Sequence, residues 1–414
     1  MIKLILGFLL ICFPLQNFSD TKIVNLKNLK PSPKKIPVTF EAHGVQRVDN
    51  YYWMRDDTRK DPKVIEHLNT ENSYLEEWFL SEKDIRDDLF SEITSRIPKK
   101  EDSVPVRLKN YEYFRRYEPG NEHAIYIRRK NKNTNELTIL DVNELAKDKE
   151  FYQLANWSIS PQEDLMAFAE DTNGRRQYTI KFKDLTNSTI YDYNLQNTSG
   201  DMAWSRDGVY LFYVERDEET LLPFRLYRHK IGTSQLEDAL IYEEKDPTFY
   251  VSVGNTRSME YVEIDISSST SSEVRLIQSD KPEMVPYIFL EREKDHLYSV
   301  DHDPSSKRFL IESNWNAINF RLLETSLPNS KDKDNWIELI PHREDVLLQS
   351  VIPFPNHLVI MERENGLKHL KIVNKENGDS KKIKFNDPSY SAYLAANPEY
   401  DADKFYYGYS SMRT

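Results

Sequence analysis

Four serines limit what this chain can fold into. Ser158, Ser205, Ser252 and Ser299 follow one another at a constant interval of 47 residues. Trp157-Ser158 opens "WSISPQEDLMAFAED" and Trp204-Ser205 opens "WSRDGVYLFYVERD"; Val251-Ser252 and Tyr298-Ser299 lie in "FYVSV" and "LYSVDHD". Between them run short segments that alternate apolar and polar residues, such as "QYTIKFKDL", "FRLYRHKI", "YVEIDI" and "EVRLIQ", broken by Asn, Asp, Gly, Ser and Pro. Alternation with period two marks half-buried strands, and the breaking residues mark turns. A unit of roughly 40 to 50 residues holding about four strands is the sequence mark of a β-propeller blade.

Looser blade starts near Ser103, Ser350 and Ser391 bring the expected number of blades to seven. Seven blades of about 47 residues that begin near residue 103 would end near residue 430, whereas the chain has 414 residues. The fold class expected is therefore mainly β: a seven-bladed propeller over 103–414 whose last blade is truncated. Its closing stretch "FYYGYSS" (Phe405–Ser411) is expected to be a strand without neighbours, and an open apolar edge is an aggregation hazard.

Ahead of the propeller the period changes. Thr21 to Pro37 is a polar lead-in punctuated by Pro31, Pro33 and Pro37. Then Val64, Leu68, Leu75, Trp78 and Phe79 fit one helical stripe, and Ile85, Leu89, Ile93 and Ile97 fit a second that stops at Pro98. Each amphipathic helix must lay its apolar face on something. The segment 20–102 is read as helical and the propeller as starting at 103.

Hydrophobic residues make up 39% of the chain, enough for a real core. The formal net charge of −12 argues against a nucleic-acid partner, which would require basic clusters. Cys12 is the only cysteine, so the body carries no disulfide framework, no Cys-rich metal site and no thiol nucleophile. Cys12 lies in "MIKLILGFLLICFPLQNFSD", where Lys3 is a short positive region and Leu4 to Leu15 a short apolar run. Residues 1–19 are read as a secretory signal, which implies export to the periplasm, with a cytoplasmic location as the alternative. The run is too short for comfortable stable membrane insertion, and Ile11 stands where a lipoprotein signal needs a small residue.

The motifs for chemistry are sparse. A hydrolase nucleophile would sit in Gly-x-Ser-x-Gly, and no match exists; "GYSSM" (Gly408–Met412) lacks the second glycine and falls in an expected strand, so Ser410 is read as a strand residue. None of the nine histidines is singled out by spacing as a base for a serine. Asp295, His296, Asp301, His302 and Asp303 form the densest polar cluster, and Asp-x-Asp-Pro there reads as turn chemistry before it reads as a metal site. No cofactor, metal or catalytic residue is expected.

Several stretches carry a resemblance. "DNYYWMRDD" followed by "DPKVIEHLNTENSY", then "YEPGNEHAIY", "EDTNGRRQYTIKF", "TLLPFRLYRHKIGT", "LIYEEKDPTFYVSV" and "YGYSSM", resemble in the same order the N-terminal part of the prolyl oligopeptidase family, most of all its oligopeptidase B branch. The similarity runs from about residue 38 to the end. The resemblance implies a serine peptidase in which a seven-bladed propeller covers an α/β-hydrolase domain and the two enclose a cavity for short peptides, with cleavage after Arg or Lys. It also implies that the N-terminal helices pack on the hydrolase half, that the triad lies in a hydrolase domain missing from this chain or separately encoded, and that this chain alone is inactive.

In the same family Glu150 of "KEFYQL" and Arg176 of "NGRRQYTI" resemble an interdomain latch; the plainer reading is a solvated surface pair, worth about 0–1 kcal/mol. The acidic runs 215–220 and 242–246 read as solvated loops that would draw in cationic peptides. Two rivals remain at this level: a free-standing propeller that binds peptides or proteins, and a propeller enzyme with carboxylates converging in its channel.

Overall fold

The structure, a computed structural model, describes residues 30–132 and 134–413, so the leader read over 1–19 lies outside the described residues. The chain divides into two compact units, one ending at Pro98 and the other beginning at Lys99.

The first unit opens with a hairpin, Val38–Ala42 paired with Val45–Asp49. Its two turn residues, His43 and Gly44, both have positive φ, 55° and 74°, as the tight turn matching strand twist requires. Two helices follow, α1 (Pro62–Leu80) and α2 (Lys83–Ser95). Asp61 caps α1 by accepting from the Lys63 amide, and Pro62 occupies the first helical position, where its missing N–H costs nothing. Of the two predicted stripes only Val64 is buried; Leu68, Leu75, Trp78, Ile85, Leu89 and Ile93 are 46–59% exposed. Among the described residues no helix is long and apolar enough to cross a membrane.

The second unit is the propeller, and every strand pairing in it is antiparallel. Blade 1 spans 101–141, with Glu101–Asp102 and Val106–Leu108 both pairing with Tyr111–Tyr117. Blades 4, 5 and 6 are four-stranded meanders over 250–290, 298–340 and 346–382. Blades 2 and 3 are fused into a sheet of seven strands. The strand Ile190–Trp204 closes blade 2 against Tyr178–Asp184 and, beyond Thr198, opens blade 3 against Tyr210–Arg216. The bend falls at Asn197 and Gly200, with φ of 56° and 86°. A side chain at Gly200 would meet the Tyr178 ring at 3.1 Å, so the position needs glycine.

Blade 7 has two described strands, Tyr390–Leu394 and Tyr407–Ser411. The closing strand therefore has a partner, contrary to the sequence expectation, and it starts at Tyr407 rather than Phe405. Ser410 stands opposite Ser391 in that ladder and is exposed, a strand residue as read.

The repeat is real, but its frame is not the one the four serines suggested. In blades 2 to 4 the position that recurs is the residue just after the inner strand, where a side-chain oxygen caps the following hairpin: Ser160 takes the Leu165 amide at 3.0 Å, Ser205 the Tyr210 amide at 2.9 Å and Thr256 the Tyr261 amide at 3.2 Å. In blade 5 Asp303 takes the Ser305 amide at 3.2 Å. Ser205 alone of the original four sits there; Ser158, Ser252 and Ser299 lie inside inner strands. What is repeated is a hydrogen-bonding need at a turn, which Ser, Thr and Asp meet alike.

Five apolar clusters fill the gaps between successive blades from 1 to 6. Leu165–Asp171 shows how the alternation serves this: Met166 and Phe168 pack toward blade 1 while Leu165, Ala167 and Ala169 pack toward blade 3. Phe168 is fully buried, and such a side chain contributes roughly 1.5–3 kcal/mol by leaving water.

Candidate functional site

Inner strands run from one end of the axis, here the near end, to hairpins at the other, the far end. The chain enters blade 1 at the near end, just after Lys99. Glu150 lies immediately before the inner strand of blade 2, Gln153–Ile159, and Arg176 lies in the hairpin after Leu165–Asp171, so both stand at the near end. The buried Asp171 carboxylate builds that hairpin: it accepts from the Asn173 and Gly174 amides at 2.9 Å each and from the Arg176 amide at 2.8 Å. Arg176 is held with φ of 58°, and its side chain is exposed. The segment carrying Glu150 lies alongside, since a side-chain carbon at Gly174 would be 4.0 Å from the Phe151 ring. Glu150 and Arg176 are not paired with each other, and among the described residues neither side chain makes an ion pair.

Both acidic runs also fall at the near end, but they are not simple solvated loops. Glu244 is 7% exposed. It accepts from the Tyr242 hydroxyl at 2.6 Å and from the Asp246 amide at 2.8 Å, and pairs with Arg292 at 2.5 Å. Burial pushes its carboxyl up, and those three partners together hold it below the ordinary range. Arg225 bridges Glu215 and Glu243 at 3.4 and 2.8 Å, and Asp217 caps its turn through the Thr220 amide at 2.8 Å.

On the first two strands of blades 3 to 5, sequence spacing missed a set of carboxylates. Asp201 and Asp301 lie on the inner strands of blades 3 and 5, Glu263 and Asp265 on the second strand of blade 4, and Glu312 on the second strand of blade 5. All five are half-buried. Glu263 is pushed up to about 8 by burial first and then by the charges of Asp301 and Asp265. Glu312 rises to about 7 through burial, although it accepts from the Val351 amide of blade 6 at 2.7 Å. Asp301 rises to about 6 through burial, opposed by Arg257. Burial also raises Asp265 and Asp201, against their bonds to Ser267 and Ser199. At neutral pH Glu263 is therefore mostly protonated and Glu312 about half so, and a cation placed among these acids would favour their ionised forms. The only sequence signal was the acid on the polar side of strands such as "YVEIDI", which alternation alone assigns equally well to solvent.

The polar cluster at 295–303 is a turn, with Asp295 and His296, followed by the strand Tyr298–Asp303, and no metal-binding group of three or more His, Cys, Asp or Glu exists among the described residues. Two histidines do meet serines. His296 Nε2 is 2.8 Å from Ser313 Oγ, but His296 is 4% exposed and Ser313 is fully buried. His302 Nδ1 is 3.0 Å from Ser258 Oγ and 3.9 Å from Glu260. A triad base uses one ring nitrogen for the nucleophile and the other for the acid; here a single nitrogen faces both, and burial depresses the imidazole's proton affinity.

Comparison with known proteins accords with this architecture. The family described as "Prolyl oligopeptidase, N-terminal beta-propeller domain" matches residues 30–414. Dipeptidyl aminopeptidase BI of Pseudoxanthomonas mexicana is 35% identical over 92% of this chain and 54% of its own length. Protease 2 of Moraxella lacunata is 31% identical over 93% of this chain and 55% of its own. The solved oligopeptidase B of Leishmania major superposes with a TM-score of 0.87 at 29% identity, covering 93% of this chain and 58% of that one. The chain thus spans about half the length of the curated relatives it matches. It belongs to the prolyl oligopeptidase family, as the N-terminal β-propeller domain of an oligopeptidase-B-like member.

Proposed function

We propose that this propeller belongs to an exported serine peptidase that hydrolyses short peptides after Arg or Lys, and that the propeller's part is to admit and hold the cationic peptide. The observation that carries the reading is the set of half-buried acids Glu263, Asp265, Asp301 and Glu312 on the first two strands of blades 4 and 5, whose raised proton affinities a guanidinium or ammonium group placed among them would lower, so that it gains their ionised forms as partners. The peptidase names of the relatives support the reaction class. The cut itself belongs to a hydrolase domain beyond this half.

In this reading the exposed apolar faces of α1 and α2 pack on that domain. Arg176, exposed at the near end beside the segment of Glu150, offers its fork to an acid there as a latch. Lys3 and the apolar run Leu4–Leu15 support export. A second reading, release of dipeptides from peptide N-termini, is favoured by the 35% identity to a dipeptidyl aminopeptidase.

The test compares the full-length protein with purified 20–414 on an Arg-containing chromogenic peptide and on a dipeptide chromogenic substrate. The proposal expects serine-inhibitor-sensitive cleavage of the first by the full-length protein alone. Inhibitor-sensitive cleavage by 20–414 would place a nucleophile within the propeller. Release from the dipeptide substrate only would favour the second reading.

A further inference from the structure

Six inner strands end in short hairpins, but blade 7 places the segment Ala395–Tyr406 between its two described strands. Asn397 seals the base of this loop, accepting from the Tyr406 amide at 2.6 Å and donating to the Tyr406 carbonyl at 2.9 Å. Beyond the base the loop leaves its own blade. The Glu399 carboxylate accepts from the Lys109 amide of blade 1 at 2.5 Å. Arg257 of blade 4 donates to the Asn397 and Glu399 carbonyls at 2.8 Å each, and also to the Pro353 carbonyl of blade 6, with its guanidinium 4.8 Å over Phe354. Tyr400 donates to Asp303 of blade 5 at 2.5 Å and accepts from the Ser305 amide at 3.3 Å.

In a ring of seven, blade 7 adjoins only blades 6 and 1, and blade 4 is as far from it as a blade can be. A loop bonded to blades 1, 4 and 5 has to cross the axis. It does so at the far end, over a cavity of about 660 Å³ shared with blades 1 to 5. Otherwise blade 7 meets blade 6 through Tyr390, whose hydroxyl lies 2.9 Å from His369 Nδ1; the apolar clusters fill the gaps from blade 1 to blade 6, and among the described residues of blade 7 only Ala392 is buried.

The geometry points to a strap. Ala395–Tyr406 covers the far end of the axis and ties blade 7 to blades 1, 4 and 5 as one cooperative unit. The interior is then open at the near end, where the inner strands begin. Arg257 is the central fastening, because a planar guanidinium can serve three carbonyls from two segments at once.

Hydrogen exchange with mass spectrometry on the purified chain tests this with Arg257→Ala and, separately, Tyr400→Phe. Among the described residues no hydrogen bond joins Lys109 or Ser305 to Arg257 or to each other. A strap predicts that either substitution speeds exchange at least tenfold in all three of the peptides around 105–111, 303–308 and 397–406, and speeds tryptic cleavage after Lys404, while the peptide containing Phe168 keeps its protection. Acceleration confined to the residues beside the substituted side chain, with 105–111 unmoved, would overturn the proposal. If Arg257→Ala unfolds the chain, Tyr400→Phe decides by the same criterion, since it removes one hydroxyl and no packing.

Discussion

Tyr400 of blade 7 donates its hydroxyl to the Asp303 carboxylate of blade 5 at 2.5 Å, and Lys375 of blade 6 reaches the same carboxylate at 2.7 Å. Asp303 is 3% exposed. Burial raises its carboxyl, but Lys375, Tyr400 and Ser305 together bring it below the usual range. Removing one member of a buried pair strands the other, at a cost of about 3–5 kcal/mol. Lys375 is partly exposed and can turn to water, so Asp303→Ala should cost about 3 kcal/mol in urea unfolding, toward the lower end of that range. Lys375→Met leaves that carboxylate buried but still held by Tyr400 and Ser305, bonds that Asp303→Ala removes with it, and should cost less for that reason. Equal costs would mean that the pair, rather than the carboxylate as a hub, is what matters.

The interior carboxylates make stability fall as pH rises. Glu263, Glu312 and Asp301 have folded values of about 8, 7 and 6 against ordinary values of 4.5, 4.5 and 3.8. Between pH about 4.5 and 8 the folded protein therefore holds more protons than the unfolded chain, and unfolding free energy drops by up to about 1.4 kcal/mol per pH unit for each group in its window. Glu263→Gln should flatten the profile between pH 6 and 8 and raise the urea midpoint at pH 8. A wild-type midpoint that rises from pH 6 to 8 would contradict this assignment.

Gly408 stands opposite Tyr393 in blade 7, and an added Cβ would overlap the Tyr393 ring. Gly408→Ala should destabilise the two-stranded blade, and Tyr393→Ala should largely relieve it. Tyr393 is 52% exposed and its ring can swing aside, so the coupling expected in a double-mutant cycle is about 0.5–1 kcal/mol, the low end for residues in contact. Additive costs would show that the close approach does not matter.

Arg176→Ala in the full-length protein should lower kcat/KM for a basic peptide by roughly tenfold, since a latch that holds two halves together is worth on the order of 1–2 kcal/mol. The thermal midpoint of the propeller should stay unchanged. Loss of stability with unchanged kcat/KM would make Arg176 a residue of the hairpin alone.

The fold was legible where one physical demand repeated. Two helices, the strand segments and seven blades follow from periodicity, because half-buried strands such as Tyr261–Ser267 alternate apolar and polar residues, while a strand buried on both faces such as Leu165–Asp171 reads as an apolar run between turns. The blade frame was displaced because Ser, Thr and Asp cap a hairpin equally well, so no single residue type marks Ser160, Thr256 and Asp303. The shared strand Ile190–Trp204 was hidden because its bend at Gly200 looks like any turn. The interior acids were not legible: Glu263 and Asp265 alternate with Val262, Ile264 and Ile266 as an exposed face would. The strap reads as loop in sequence, since its bonds go to residues 95 to 290 positions away.

The central claim is that this propeller serves a peptidase that selects cationic peptides by its acidic interior. The direct measurement is kcat/KM of the full-length protein on two short peptides differing only in Arg against norleucine, for wild type and for Glu263→Gln/Asp301→Asn. The account predicts at least a tenfold preference for Arg, reduced several-fold in the double variant with the norleucine rate unchanged. Equal rates on the two peptides in wild type, or a preference untouched by the double substitution, would contradict it.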